Sequence, residues 1–222
     1  MKLLETLLGA MKVGGALILS PVLRSWYNRW GADFEETQRP LPGDELVPAA
    51  QMGYTRAITI QAPPERIWPW LVQMGQGRGG LYSYDALENL AGCKIHSVDR
   101  ILPEYQNLQR GDLIRLGPQG YPCFSVASID PGRALVLISA DLKTGQPVGY
   151  TQARGKGYST ATWQFILHPL GENATRLIIR QRLAYSPDLN LVWRITEPIG
   201  FVMERKMMLG IQRRAEFPAN KL

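Results

Sequence analysis

The chain is poor in the residues on which many chemistries depend. It has two cysteines, Cys93 and Cys123, and two histidines, His96 and His168. Two thiols exclude the disulfide framework that small secreted domains need, and a reducing cytoplasm suits such a composition best. Cys93 and His96 have the separation of two metal ligands, but a closed structural zinc site needs about four, and Cys123 and His168 are the only others of their kind. No metal is expected, and the plain reading is a buried thiol beside a structural histidine. No G-x-S-x-G elbow is present, so a hydrolytic triad has no placed nucleophile. Lys and Arg are scattered, without the run or stripe that marks a nucleic-acid surface, and no nucleic-acid partner is expected. The glycine-rich stretch Gly75 to Gly80 follows a helix and lacks a Lys-Ser or Lys-Thr pair, whereas phosphate loops follow a strand. It reads as a turn, with a gate at a cavity mouth as its functional alternative, and no cofactor is implied.

What the chain does have is enough apolar residue for one sizeable core: 222 residues, 45% hydrophobic and 20% charged. The net charge of +6 and a pI of about 9.4 permit attraction to an anionic surface or ligand. Residues 1–30 form an apolar or amphipathic helical segment. Glu5 and Lys12 interrupt it, Gly14 and Gly15 weaken it and Pro21 breaks it, leaving too short a run for a clean membrane span. Leu4, Leu7, Leu8 and Met11 share one helical face. Two readings stay open: a helix packed on the domain, or one lying on or crossing a membrane. Residues 31–53, rich in Gly, Pro and acidic groups, read as an extended linker, and residues 54–217 as the main domain.

Within that domain Ile58 and Ile60 alternate with Ala57, Thr59 and Gln61, the period of a half-buried strand. Pro63 and Pro64 end it and start a helix carrying Ile67, Trp68, Leu71 and Val72, in which Pro69 should produce a kink or a late start. A short helix follows around Asp85 to Leu90, with Asp85 as N-cap and Gly92 as its stop. Five strands are expected over Leu113 to Leu116, Cys123 to Ile129, Ala134 to Ser139, Thr160 to His168 and Thr175 to Tyr185. Ala161, Trp163, Phe165 and Leu167 point to one face, which needs a cover. A final helix starting near Pro198 can supply it. Ile199, Val202, Met203, Met207 and Leu209 form its apolar arc, Lys206 and Arg213 intrude on that arc, and Glu204, Arg205 and Gln212 lie opposite. This order of elements is α+β.

The strand running into Ala62-Pro63-Pro64-Glu65-Arg66-Ile67-Trp68 resembles the opening of the SRPBCC superfamily, which includes START lipid-transfer domains, birch-pollen-allergen-like carriers and polyketide cyclase-like proteins. Phe201 through Leu209 to Arg213-Arg214 is similar to the long C-terminal helix of bacterial members. The resemblance covers about residues 54–217 and implies a helix-grip arrangement, a curved antiparallel sheet wrapped around that helix; pattern alone yields only the class. It speaks for a fold more than an activity, because one fold hosts many functions.

Such a fold implies a small hydrophobic or amphipathic ligand, lipid or polyketide-like, held in an internal cavity. Trp163, Phe165, Met203 and Met207 are the candidate apolar wall, and Met suits a surface that repacks around different ligands. Tyr82, Tyr84 and His96 are the candidate polar contacts. Each also has a plain core or structural role available. The rival functions are a polyketide cyclase or dehydratase-like enzyme, in which the pocket folds a reactive chain, and a membrane-associated interaction module built on the first helix.

Overall fold

The computed structural model describes residues 2–152 and 155–217, with side chains from Leu4 onward. Met1, at the head of the expected first segment, and Ala153 and Arg154, inside the expected main domain, lie outside the described residues.

Helix α1 spans Lys2–Tyr27. It packs one face on the domain and leaves several large apolar residues on the opposite face exposed. A Cβ on Gly9 would lie 2.9 Å from the Tyr84 ring, so the helix approaches closely there. Val13, Ala16, Leu23 and Tyr27 pack with Tyr84, Phe201 and Val202. On the other side Leu4, Leu7, Met11, Ile18, Val22 and Trp26 are exposed. Of the two readings of this segment, packing on the domain is thus observed, and the packing leaves an apolar face uncovered.

After α2 (Phe34–Gln38) the chain runs along the outer face of the sheet. Glu36 pairs with Arg176 at 2.7 Å and Asp44 with Arg180 at 2.6 Å, while Leu41 packs on Ala57 and Ile178. The strands are β1 (Met52–Ile60), β2 (Leu113–Arg115), β3 (Cys123–Asp130), β4 (Ala134–Ala140), β5 (Ser159–Pro169) and β6 (Thr175–Tyr185). They form one antiparallel, curved, unclosed sheet in the order β1-β6-β5-β4-β3-β2. A bulge between Val126 and Ser128 shifts the β3–β4 register, the kind of irregularity that bends a strand. Ala161, Trp163, Phe165 and Leu167 all join the main core on the inner face, as their alternation requires.

Helix α3 (Pro64–Val72) starts at Pro64 and runs through Pro69, so the expected late start does not occur. Helix α4 spans Asp85–Leu90, with Tyr84 rather than Asp85 in the N-cap position. The Asp85 carboxylate is used elsewhere: it accepts from the Ser97 backbone N–H at 2.7 Å and the Ser97 hydroxyl at 2.6 Å. Gly92, at φ 82, provides the expected left-handed stop.

Helix α5 (Asn190–Glu216) crosses the concave face. It begins well before Pro198, which lies inside it and is buried. The first turns carry exposed Leu191, Val192 and Ile195, so no inward apolar stripe announces them in the sequence. Contacts from two layers hold α5. A Cβ on Gly210 would come within 2.4 Å of the Tyr82 carbonyl, so only glycine permits this approach.

The structure is therefore α+β and helix-grip: a curved antiparallel sheet around a long C-terminal helix, with a second helix, α1, against the outside of the grip.

Candidate ligand cavity

The grip is packed solid at one end and open at the other. Ile60, Leu71, Phe165, Leu177, Met208 and Ile211 fill the first end with essentially no exposure. Toward the other end the facing residues become small: Ser139 and Ala140 on β4, Ser159 and Ala161 on β5, Gly200 on α5. There a cavity of about 710 Å³ lies between sheet and helix. Its mouth is bordered by exposed Pro122, Asp141, Leu142, Gly157, Thr196 and Gly200.

Trp163, Met203 and Met207 line this cavity, with Phe124 beside Trp163 at a ring-centroid distance of 5.6 Å. Phe165 stands behind Trp163 at 4.8 Å, fully buried and away from the cavity surface. Tyr82, Tyr84 and His96 are elsewhere. They border a second depression, about 1260 Å³, between α1, α4, α5 and the 95–100 loop. Tyr82 is buried, donates its hydroxyl to the Trp70 carbonyl at 3.1 Å, and holds a left-handed φ of 56; burial raises its pKa. The Tyr84 hydroxyl accepts from Lys12 at 3.3 Å, and His96 is exposed. The seven candidate residues thus divide between a cavity wall, a core layer and a separate groove.

The polar end of the cavity is built from residues that the sequence did not single out. Glu204, expected on the solvent side of α5, is 6% exposed and faces the sheet. Its Oε1 accepts from the Tyr54 hydroxyl at 2.5 Å and from the Trp163 indole N–H at 2.9 Å. Its Oε2 accepts from Arg56 Nη1 at 2.6 Å. Arg56 also donates to the Tyr27 carbonyl at 2.9 Å and stacks on the Tyr54 ring at 3.7 Å. Burial, then the neighbouring Glu204 charge, pushes the Tyr54 phenol well above its ordinary pKa, so it remains a neutral donor. One signal was legible: an arginine in an apolar strand face must find an acid, and Glu204 interrupts the helix that covers that face.

Glu88 on α4 is the second buried carboxyl of the wall. Burial, reinforced by the charge of Asp85 and opposed by the Ser83 hydroxyl, pushes it up to about 7. Cys93 and Cys123 are free thiols whose pKa burial raises, which makes both poor thiolates. Among the described residues, no three His, Cys, Asp or Glu side chains converge as metal ligands.

Fold and cavity together define a helix-grip domain with an internal, mostly apolar pocket. No protein-family model and no curated protein matches the sequence. Some solved structures are similar to it at low sequence identity. The Aha1 dimer of Colwellia psychrerythraea is similar at 15% identity over 76% of this chain and 99% of that one, with a TM-score of 0.44. A protein from Arthrobacter aurescens is similar at 19% identity over 77% and 89%, TM-score 0.42. CalU16 from Micromonospora echinospora is similar at 13% identity over 74% and 83%, TM-score 0.32.

Proposed function

We propose that this protein is an SRPBCC-like binding protein that takes a small hydrophobic or amphipathic molecule, lipid or polyketide-like, into the cavity beneath α5. The observation that carries this reading is the cavity of about 710 Å³ itself, walled by Trp163, Phe124, Met203 and Met207 and ending in a hydrogen-bonded carboxylate. Apolar walls reward burial of an apolar body, and a few fixed polar groups orient it.

Gly200 supplies the test. It lines the cavity, and a Cβ there meets nothing within 4 Å. Gly200→Phe should fill the space from within a helix, where glycine is the weaker helix former by several tenths of a kcal/mol. An environment-sensitive apolar dye should bind the natural chain, be displaced by lipids or polycyclic compounds, and bind Gly200→Phe about tenfold or more weakly at an equal or higher Tm. Trp163→Ala should weaken dye binding as well. Undiminished binding to Gly200→Phe would place the dye elsewhere and remove the reading.

The outer face of α1 supports a second, compatible role at a lipid surface. Leu4–Tyr27 is long and apolar enough by length and composition to cross a membrane, and only 6% of its most apolar stretch is buried. Met11, Ile18 and Val22 lie on one open face, 72%, 79% and 81% exposed. Replacing all three by Ser should leave Tm unchanged, since they contact no core, and should reduce co-flotation with anionic phospholipid vesicles several-fold. Equal flotation of both forms would remove this role.

A further inference from the structure

The cavity wall carries charge of one sign. Glu88, Asp141, Glu197 and Glu204 line it, and among the described residues no Lys, Arg or His does, in a chain of net charge +6. Three of the four acids are already engaged. Glu204 pairs with Arg56 at 2.6 Å and Glu197 with Arg24 at 2.9 Å, while Asp141, exposed at the mouth, accepts from the backbone N–H groups of Lys143 and Thr144. Glu88 is engaged at one oxygen at most: it is 8% exposed, the Ser83 hydroxyl acts on it, and its Oε2 has no hydrogen-bond partner.

The groups around Glu88 do not compensate it. Asp85, on the same helix, has the same sign, and Cys93 beyond the helix end is a thiol that the Glu88 charge itself pushes up. Of the cations near α4, Lys12 donates to Tyr84, Lys206 pairs with Glu5 and Arg214 pairs with Asp99 at 2.8 Å. A buried carboxyl with one oxygen unpartnered is costly as an anion through desolvation and as a neutral acid through its unmade hydrogen bond. A positive group arriving through the cavity would remove both costs.

We infer that the ligand of this cavity is a cationic amphiphile, an apolar body with one amine whose ammonium is received by Glu88. The inference rests on the cavity being the ligand site and narrows the chemistry of what enters it. An ammonium brings up to three donors to a carboxylate whose Oε2 has none. An anionic amphiphile of the same length would add like charge to a wall that, among the described residues, has no cation of its own. Tyr158 and Trp193, which also border the cavity, offer ring faces compatible with a cation.

Three probes of one chain length separate the alternatives: dodecylamine, dodecan-1-ol and dodecanoate, titrated below their micellar concentrations into the full chain by calorimetry. At about pH 8, where Glu88 is ionised, dodecylammonium should bind about tenfold or more tightly than dodecanoate, the size of one charge-assisted hydrogen bond. The amine-to-alcohol affinity ratio should fall toward unity in Glu88→Gln. In the natural chain that ratio should also fall at about pH 5.5, where Glu88 is protonated and the amine remains charged. Equal affinities for the three probes, or an amine preference that survives in Glu88→Gln, would overturn the amine assignment and leave the cavity reading intact. Binding of none of them would remove the cavity reading itself.

Discussion

Glu204→Ala should cost about 3–5 kcal/mol of stability and lower Tm by about 10 °C or more. The substitution removes the ion-pair partner of Arg56, which is 1% exposed and cannot reach water for compensation. It also strands the Tyr54 hydroxyl and the Trp163 indole N–H, which share Glu204 Oε1. The cost comes from leaving polar groups buried and unpaired rather than from losing an attraction of that size. A double variant checks this argument. Arg56→Met with Glu204→Gln removes both charges yet keeps an amide oxygen for Tyr54 and Trp163, and should recover most of the loss. Denaturant unfolding of the two forms measures it; a double variant as unstable as Glu204→Ala would show that the charges themselves hold the grip together.

The second large effect has the opposite sign. Glu88→Gln should stabilise the protein at alkaline pH. Burial raises the Glu88 pKa from 4.5 to about 7 in the folded state. The unfolded chain therefore ionises first, and stability falls as pH rises from the lower value to the upper one, then levels off. A displacement of this size corresponds to about 3 kcal/mol at full extent. Gln cannot ionise, so the variant should match the natural chain near pH 4.5 and exceed its stability by about 2–3 kcal/mol at pH 8. Chemical unfolding at a series of pH values reads the difference. A constant offset would mean that Glu88 does not titrate between the two values. A site that costs stability when empty is a common correlate of binding, because residues suited to a ligand are not suited to the apo fold.

These two carboxyls show where sequence reading reached its limit. Helical periodicity with a single apolar arc puts Glu204 on the solvent side of α5. In the structure the sheet covers one side of α5 and α1 with the Tyr84 region covers another, so buried residues occupy most of its circumference. Lys206 and Arg213, which intruded on the assumed arc, reach outward instead: Lys206 to Glu5, Arg213 to Asp99 at 3.2 Å. Glu88 carried no sequence signal, since an acid in a short helix that opens with Asp85 reads as a solvated charge.

Local pattern alone settles the α+β class, the order of the main elements, the bounds of β2 to β6 to within a residue and the inward face of β5, while β1 begins at Met52, several residues before the alternation of Ala57 to Gln61. These follow from two-residue alternation and from proline and glycine breaks, which act over a few neighbouring residues and need no knowledge of the rest of the chain. Only the tertiary structure decided which side of α5 meets the sheet, that Pro198 lies within that helix, that Asp85 holds Ser97 rather than a helix end, and that Tyr82, Tyr84 and His96 face a groove apart from Trp163. Each of these depends on partners far away in the chain. Tyr54 and Glu204 are separated by 150 positions, Arg56 and Tyr27 by 29, and they meet because β1 pairs with β6 in one register and α5 crosses at one rotation. Local pattern limits which faces are apolar; burial on several sides at once decides which polar groups must find one another, and which one is left open to a ligand.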